Sequence, residues 1–518
     1  MVSVSVFRPV FSSLALLCAA VWMVGCQKGS QPASQGAGEP KLTVYCAAGL
    51  KRPVEAVAAQ YREEFGVEVA LQYGGTGTLL SQLRVANRGD VFIAADQGAV
   101  EDARRTGVIQ EIVPLAKQYP VLAVPAGNPK EVKGLDALFR EDLKIAVANP
   151  EAASIGKTTK RLLGERWEAV SVAATVMKPT VTELANDLRI GAIDLAVLWN
   201  STVPQFEGTQ AVRVPEFDAG AENVSGCVIQ SCEQPQEALR FLRYLAADEK
   251  GGAIFRNKGF EAIQGDIWEE APEMILYSGG VNRPAVEQLL REFSDREGAT
   301  ITTVFNGCGI LCASMQTMKD AADPKFPDAY YACDVCFVPP VADDFSKSVL
   351  LTETEIGIIV PKGNPKAVGS LADLAQEGIR VGLCNTEQST LGYMTDGMLK
   401  SSALNESVRK NVVVETPTAD FLVNQMRAGA LDAAIVYKVN WGLQEEHLDF
   451  VAINHEGAKA IQPYSIRDGS PHSQLAFRLL EHFQRNKERF ETTGFTWLDE
   501  SEAIDSRSIK IPKWLKTE

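Results

Sequence analysis

The residues with the clearest chemical potential form a glycine-rich turn in the first half of the chain. Residues 74–78 read Gly-Gly-Thr-Gly-Thr and directly precede an apolar helical pattern. Glycines let the backbone come close to a ligand, and N–H groups at a helix start attract an anion. The hydroxyl of Thr76 adds a neutral donor. The turn therefore predicts an oxyanion site, although taken alone it also suits a plain connection between a strand and a helix.

A second group with chemical potential is the set of cysteines in the later half. Cys308-x3-Cys312 and Cys333-x2-Cys336 have the paired spacing of structural zinc sites. Residues 334–335 repeat the Asp-Val of residues 90–91, which predicts that Cys333 and Cys336 lie on or beside a central strand. Residues three apart on a strand point to opposite faces, so a zinc site is disfavoured. Disulfides and buried free thiols both remain open for Cys46, Cys227, Cys232, Cys308, Cys312, Cys333, Cys336 and Cys384.

Enzyme chemistry finds little support in the sequence. Residues 156–158 (Gly-Lys-Thr) imitate the end of a phosphate-binding P-loop, but Glu151 stands where that motif needs a glycine. All four histidines lie between residues 447 and 482, so the two halves cannot share a Ser-His-acid site. A formal net charge of −15 and the lack of a basic block disfavour nucleic acid as a partner. We expect a binding protein without catalytic residues, a bound metal or a cofactor.

The chain repeats itself. Residues 125–130 (Pro-Ala-Gly-Asn-Pro-Lys) return at 361–366 as Pro-Lys-Gly-Asn-Pro-Lys. Residues 191–194 (Gly-Ala-Ile-Asp) return at 429–432 as Gly-Ala-Leu-Asp. The repeats keep their order, and their spacing is far too long for a solenoid. Two tandem globular units are therefore predicted, each long enough to bury its own core.

Each unit alternates strand and helix patterns. Residues 42–45 and 67–71 are rich in strand-forming residues, and apolar residues at helical spacing between them end at Gly66. Such alternation predicts an α/β fold with a parallel, doubly wound sheet. The predicted segments are a lipoprotein signal peptide at 1–26, a flexible tether at 27–41, a first domain at 42–267, a second domain at 272–500 and a C-terminal tail at 501–518.

The beginning of the chain predicts export. Arg8 precedes an apolar run at 10–24, which is too short to span a membrane comfortably and is typical of a secretory signal. The run ends in Val-Gly-Cys, which resembles the lipobox of bacterial lipoproteins, with Cys26 as the lipidated residue. We therefore expect the protein on the periplasmic or cell-surface side, held to a membrane by the lipid on Cys26.

Several motifs, taken in order, resemble one known family. They are residues 45–50 (Tyr-Cys-Ala-Ala-Gly-Leu), the turn at 74–78, residues 90–96 (Asp-Val-Phe-Ile-Ala-Ala-Asp), residues 148–151 (Ala-Asn-Pro-Glu) and the Gly-Phe at 259–260. Together they are similar to the periplasmic molybdate-binding proteins of ABC transporters, strongly in the first unit and more weakly in the second. The resemblance implies capture of a molybdate- or tungstate-type oxyanion, delivery to an ABC permease, and a monomeric protein.

The resemblance also implies the architecture of each unit. Each would be a type II periplasmic-binding-protein fold, in which two doubly wound lobes close on a ligand cleft. The implied lobes are 42–124 with 205–267 against 125–200 in the first unit, and 272–360 with 442–500 against 361–440 in the second.

The family's ligand positions transfer to both units. In the first they are Gly49, Thr76, Gly77, Ile155, Val181 and Trp199, and in the second Ser278, Gly280, Cys308, Leu391, Ala419 and Tyr437. Gly49 lacks the hydroxyl of the family, and Trp199 replaces its tyrosine with a donor that cannot accept. Cys308 takes the place of Thr76, and Cys384 is expected to face the same cleft. We therefore expect weaker oxyanion binding in the second unit.

Two alternatives remain open at this point. A ferric-ion or other solute-binding protein would need clustered tyrosinates or carboxylates in its cleft. A thiol-dependent enzyme or redox protein would use Cys308 and Cys384, and would require these two sulfurs to converge.

Overall fold

The computed structural model describes residues 41–318, 323–499 and 502–511. Cys26, with the predicted signal peptide and nearly all of the tether, lies outside these ranges. None of the helices in the described ranges combines the length and the apolar character needed to cross a membrane.

The first unit contains two sheets flanked by helices. Its strands are β1 (Lys41–Ala47), β2 (Glu68–Gly74), β3 (Val91–Ala94), β4 (Ile109–Gln118), β5 (Pro120–Pro125), β6 (Ile145–Ala148), β7 (Val176–Lys178), β8 (Leu195–Trp199), β9 (Thr209–Val212), β10 (Glu222–Ile229) and β11 (Glu261–Ala262). Its helices are α1 (Lys51–Phe65), α2 (Thr76–Ala86), α3 (Gln97–Arg105), α4 (Ser154–Leu163), α5 (Trp167–Ala173), α6 (Val181–Arg189), α7 (Pro235–Ala246) and α8 (Ala253–Asn257). The predicted α/β fold class is confirmed.

The second unit repeats this order. Its strands are β12 (Glu273–Gly279), β13 (Thr300–Asn306), β14 (Ala329–Tyr331), β15 (Lys347–Pro361), β16 (Val381–Cys384), β17 (Val412–Thr416), β18 (Ala433–Tyr437), β19 (Leu448–Ala452), β20 (Lys459–Ile466), β21 (Thr496–Trp497) and β22 (Ile504–Asp505). Its helices are α9 (Arg283–Glu297), α10 (Cys308–Thr317), α11 (Thr390–Ser401), α12 (Asn405–Arg409), α13 (Ala419–Arg427), α14 (Lys438–Gly442), α15 (Ser473–Arg485) and α16 (Lys487–Thr492). No strand of one unit pairs with a strand of the other within the described residues.

Two sheets define two lobes in the first unit. Lobe A carries the sheet β11-β4-β10-β3-β1-β2, and lobe B carries β7-β6-β8-β5-β9. The sheets are mixed rather than wholly parallel, because β10 runs antiparallel to both β3 and β4. Lobe B is also longer than the expected 125–200, since it includes β5 and β9. The chain crosses between the lobes at residues 118–120 and again before β10, where Glu222 pairs with Gln118.

In the second unit one long strand joins the lobes. The lobes of the second unit are named A and B after their counterparts in the first. The early part of β15 pairs with β20 in lobe A, and its later part pairs with β18 and β19 in lobe B. Strand β19 therefore places lobe B beyond the expected boundary at 440. The same strand also corrects the predicted tail, because β22 pairs with residues 347–348. Ser506 is fully buried and its hydroxyl bonds that of Ser348 at 2.9 Å, so the second unit extends past residue 500.

The two units are joined by buried charges. Glu297 at the end of α9 accepts hydrogen bonds from Arg478 at 2.7 and 3.0 Å and lies 3.4 Å from Arg243 of the first unit. Burial raises the pKa of Glu297, but attraction to the two arginines and their hydrogen bonds outweigh burial and lower this pKa below its usual value. Arg296 adds a 2.6 Å contact to Glu111 of the first unit. A buried carboxylate paired in this way ties the units together at a defined orientation.

Candidate ligand-binding site

Three helices of the first unit begin at the cleft between its lobes. Helix α2 of lobe A starts at Thr76, and helices α4 and α6 of lobe B start at Ser154 and Val181. The first N–H groups of a helix have no intrahelical acceptor and carry the positive end of the helix dipole. Three such ends meeting at one point create a positive potential without a charged side chain.

The helix starts surround a small cavity between the lobes. The cavity has a volume of about 20 Å³, which is enough for a water molecule or a compact group. The cavity is lined by Ala47, Ala48, Gly49, Leu50, Gly74, Gly75, Thr76, Ala95, Gln118, Ala153, Ser154, Ile155, Thr180, Val181 and Trp199. None of these lining residues, all within the described part of the chain, has an ionisable side chain.

Two hydroxyls meet across the cleft at this cavity. The Ser154 hydroxyl donates to Thr76 Oγ1 at 2.7 Å, and the N–H of Ala95 donates to the same oxygen at 3.4 Å. A hydroxyl has one proton and two acceptor positions. Because both acceptor positions of Thr76 are used, its proton remains available to a ligand in the cavity.

Gln118 anchors the wall of the cavity at the crossing point between the lobes. Its side-chain amide donates to the carbonyl of Ala95 at 3.0 Å, and its oxygen accepts from Ser201 at 2.9 Å. Gln118 is almost wholly buried. One amide N–H and one lone pair of Gln118 are thus used by protein groups, and the bond to Ala95 holds that backbone beside Thr76.

Glycines allow the lobes to close tightly. A Cβ atom on Gly75 would lie 2.2 Å from the carbonyl oxygen of Ala152, and one on Gly77 would lie 2.3 Å from that of Glu151. The N–H of Gly77 donates to the Ala152 oxygen at 3.1 Å. The cleft is therefore in a closed state that any side chain at these two positions would obstruct.

Five of the six positions expected for the first unit line this cavity, namely Gly49, Thr76, Ile155, Val181 and Trp199. Gly77 is not part of this lining, and its N–H donates to the Ala152 carbonyl of the opposing lobe. Sequence reasoning missed the hydroxyl of Ser154 and the amide of Gln118. The position of Ser154, directly before the implied donor Ile155, was the available signal. The P-loop-like Lys157 lies outside the cavity, 3.8 Å from Asp96.

The second unit repeats the closure but changes the chemistry. Gly307 and Gly309 approach the carbonyls of Gln388 and Glu387, as Gly75 and Gly77 do in the first unit. The starts of α10, α11 and α13 bring Cys308, Leu391 and Ala419 to the cleft, and Tyr437 ends β18. Gly280 faces the opposing lobe, since a Cβ there would lie 3.4 Å from Thr418. Ser278 instead turns into lobe A, 3.5 Å from the amide of Asn282.

Strand register corrects the expected place of Cys333. The carboxylate of Asp328 accepts from the N–H of Ile275 at 2.9 Å, as Asp90 accepts from Thr43 at 2.8 Å in the first unit. Asp328, rather than Asp334, is therefore the counterpart of Asp90. Cys333 lies beyond the end of β14, in the place that Ala95 occupies beside the first cavity. Cys336 lies in the short turn that follows it.

Cys308 and Cys333 are immediate neighbours. The N–H of Cys333 donates to Cys308 Sγ at 3.0 Å. Burial raises the pKa of Cys308, but hydrogen bonds from Cys333 and Tyr330 outweigh burial and lower this pKa below its usual value. The hydrogen bond to Cys308, together with burial, raises the pKa of Cys333 well above its usual value. Of the two thiols, Cys308 is therefore the more acidic.

The convergence of Cys308 and Cys384 that the thiol-dependent alternative requires is not observed. Cys384 Sγ lies 3.8 Å from Thr416 Oγ1 in lobe B, and no contact between the two sulfurs occurs among the described residues. All eight cysteines of the described residues are free thiols. The described ranges also hold no group of three or more His, Cys, Asp or Glu side chains that could bind a metal ion. The four-cysteine zinc arrangement suggested by spacing alone is therefore absent there.

Comparison with known proteins identifies the family. Residues 42–261 and 275–496 each match the model for bacterial extracellular solute-binding proteins. The chain is 38% identical over 241 residues to the molybdate-binding protein ModA of Escherichia coli, covering 43% of this chain and 90% of that protein. It is 26% identical over 235 residues to ModA of Mycobacterium tuberculosis, covering 45% and 88%. The solved periplasmic molybdate-binding protein of Azotobacter vinelandii aligns with 18% identity and a TM-score of 0.36, covering 43% of this chain and 100% of that chain.

The two matched stretches follow one another and together span most of the sequence. The predicted duplication is confirmed by this match. The protein is a member of the bacterial extracellular solute-binding protein family and carries the family's domain twice in tandem.

Proposed function

We propose that the first unit binds a tetrahedral oxyanion of the molybdate or tungstate type and delivers it to an ABC permease. The observation that carries this proposal is the cavity of the first cleft, where three helix starts meet and no lining side chain is ionisable. Neutral donors and helix dipoles bind an anion without adding a strong, unselective cationic field. The names of the relatives, which are molybdate-binding proteins, support the same ligand class.

The donor set of the cavity comes from both lobes. Thr76 of lobe A offers a hydroxyl proton. Ile155 and Val181 of lobe B line the same space in the first turns of α4 and α6, where backbone N–H groups lack intrahelical acceptors. Trp199 adds an indole N–H at the end of β8. Binding therefore requires both lobes at once, which favours reversible closure around the anion and no covalent step.

The alternatives have less support. Ferric iron needs carboxylate or tyrosinate ligands, whereas the lining of the first cavity contains neither. A thiol-dependent enzyme using Cys308 and Cys384 lacks the sulfur convergence it would need. We therefore propose a transport function without catalysis.

Delivery to a permease requires the protein to stay near the membrane. We propose that the lipid on Cys26 provides this attachment, through the tether predicted at 27–41. Mass spectrometry of the protein from membranes would detect a lipid-modified Cys26 as the N-terminal residue of the mature chain.

Calorimetric titration of the mature full-length protein tests the ligand assignment. Molybdate, tungstate and sulfate would be compared with ferric citrate. We expect saturable binding of molybdate and tungstate, and loss of this binding in Gly75→Ala, whose Cβ would obstruct closure. Gly134→Ala is the matched control, because a Cβ at Gly134 meets no atom within 4 Å. Ferric binding without any oxyanion binding would overturn the proposal.

A further inference from the structure

The second cleft carries a pair of thiols at the positions that line the cavity in the first cleft. Cys308 occupies the position of Thr76, and Cys333 occupies that of Ala95, both of which line the first cavity. We propose that Cys308 and Cys333 form a binding site for a soft univalent metal ion, Cu(I) or Ag(I), in the second cleft. This inference concerns the second unit and does not depend on the oxyanion proposal for the first.

The two sulfurs are held together by the backbone. The N–H of Cys333 bonds Cys308 Sγ at 3.0 Å, which fixes the start of α10 against the loop after β14. A Cβ atom on Gly279 would lie 2.2 Å from Cys333 Sγ, so this thiol can occupy its place only above a glycine. The first unit has Ala47 at the corresponding position of its first strand, and Ala95 has no sulfur to accommodate. The glycine and the thiol therefore fit each other.

The site is enclosed by groups from both lobes. Cys308 and Cys333 are 0% and 4% exposed, which places both sulfurs inside the closed cleft. Thr390 at the start of α11 and Tyr437 at the end of β18 belong to lobe B and are equally buried. The Tyr437 hydroxyl has no hydrogen-bond partner among the described residues, whereas the Thr390 side chain interacts with Cys308 and Cys333. A buried hydroxyl without a partner is uncommon, and it indicates that a further group belongs between the lobes.

The second cleft has an acidic residue where the first has a hydroxyl. Asp420, the second residue of α13, stands where the first unit has Thr182 in α6. A carboxylate at this helix start disfavours an oxyanion more than the hydroxyl of Thr182 does. The lining of the first cavity, by contrast, has no ionisable side chain.

The number of thiols points to a univalent soft ion. Zinc in structural sites is held by four ligands, and the described residues contain no metal-binding group of three or more. Thiolate sulfur selects soft ions such as Cu(I), and univalent ions of this class accept two sulfur ligands. Binding would leave the oxidation state of the ion unchanged. Any proton held by the thiols of Cys308 and Cys333 would pass to solvent as the two sulfurs become thiolate ligands.

A competition titration tests this proposal on the reduced, mature full-length protein under anaerobic conditions. Cu(I) would be supplied as its complex with a chromophoric chelator, and the protein would be added until the colour stops changing. We expect one Cu(I) to be withdrawn per chain. The test variants are Cys308→Thr and Cys333→Ala, because the first unit shows that these side chains fit the same positions. The control variants are Cys46→Ser and Cys227→Ser, which remove buried thiols of the first unit.

The outcomes separate clearly. Loss of Cu(I) withdrawal in both test variants, with full withdrawal in both controls, supports the site. Circular dichroism melting of each variant shows whether the chain is still folded, and two independent test positions keep the result interpretable if one variant is unstable. Failure of the wild-type protein to withdraw Cu(I), or equal withdrawal by folded test variants, would overturn the proposal. Neither result affects the titration of oxyanions to the first unit.

Discussion

Removing the hydroxyl of Thr76 should weaken oxyanion binding without damaging the fold. The hydroxyl accepts hydrogen bonds from Ser154 at 2.7 Å and from the N–H of Ala95 at 3.4 Å, so its proton is left for the ligand. In Thr76→Ala this donor disappears from the cavity. The variant also loses the bond that Ser154 makes to Thr76 across the cleft, but the backbone of α2 can keep its place because the N–H of Gly77 still bonds the carbonyl of Ala152.

The size of the effect follows from the charge of the ligand. A hydrogen bond to a charged group contributes about 1.5–3 kcal/mol, and each 1.4 kcal/mol is about tenfold in affinity. Thr76→Ala should therefore raise the Kd for molybdate between roughly tenfold and a hundredfold. Ser154→Ala removes a neutral hydrogen bond, worth about 0.5–1.5 kcal/mol, and should cost roughly two- to tenfold. The loss of binding free energy in the double variant should be smaller than the sum of the two single losses, because Ser154 acts largely through Thr76.

Calorimetry of the full-length protein measures all three variants on one scale. Thr106→Ala is the matched control, since Thr106 lies in the same lobe with an exposed hydroxyl that bonds only backbone carbonyls. We expect the control to bind molybdate as the wild type does. If Thr76→Ala binds as tightly as this control, the hydroxyl does not contact the ligand and the assignment of the cavity is wrong.

Three further predictions address closure, the second cleft and the interface. Gly77→Ala should weaken molybdate binding about tenfold or more, since a crowded contact costs about 1–3 kcal/mol, while Gly134→Ala should bind normally in the same titration. Cys308→Thr combined with Cys333→Ala restores both side chains of the first cavity, and calorimetry should then show a second oxyanion site per chain. An unchanged stoichiometry would show that other residues exclude the anion. Glu297→Gln should lower the free energy of unfolding by roughly 3–5 kcal/mol in urea titrations at neutral pH. Folding lowers the pKa of Glu297, so the stabilisation from its carboxylate is fully present above the unfolded-state pKa of about 4.3. This stabilisation is lost as pH falls through the folded-state pKa. Acid should therefore destabilise the wild type more than the variant.

Local sequence determined much of the fold. Gly66 predicts the end of α1, because a helix often stops at a glycine in the left-handed conformation, and this residue adopts a φ of 70°. The turn at 74–78 was readable as a helix start for the same local reasons. The repeats also predicted two units, because order and spacing along the chain survive divergence even where individual residues do not.

The boundaries between lobes and at the C-terminus were decided by strand pairing. Residues 120–125 join lobe B because they pair with β8 and β9. Residues 504–505 extend the second unit because they pair with residues 347–348 of β15. These pairings link residues far apart in sequence, and no local pattern specifies which edge a short strand will meet.

The composition of each site shows the same division. Sequence alone placed Thr76 at a helix start, because capping and periodicity are local properties, whereas Ile155 and Val181 were implied only by the family resemblance. Only the closed tertiary structure brought Ser154 onto Thr76 and set Cys333 beside Cys308, because both contacts depend on how lobes close and on the register of strands. The Asp-Val pair at 334–335 predicts that Cys333 lies on or beside a strand, whereas the bond from the Ile275 N–H to the Asp328 carboxylate shows that Asp328 is the counterpart of Asp90 and that Cys333 lies beyond the strand, at the cleft. The sequence thus determines which elements form, and the packing of those elements decides which side chains share a site.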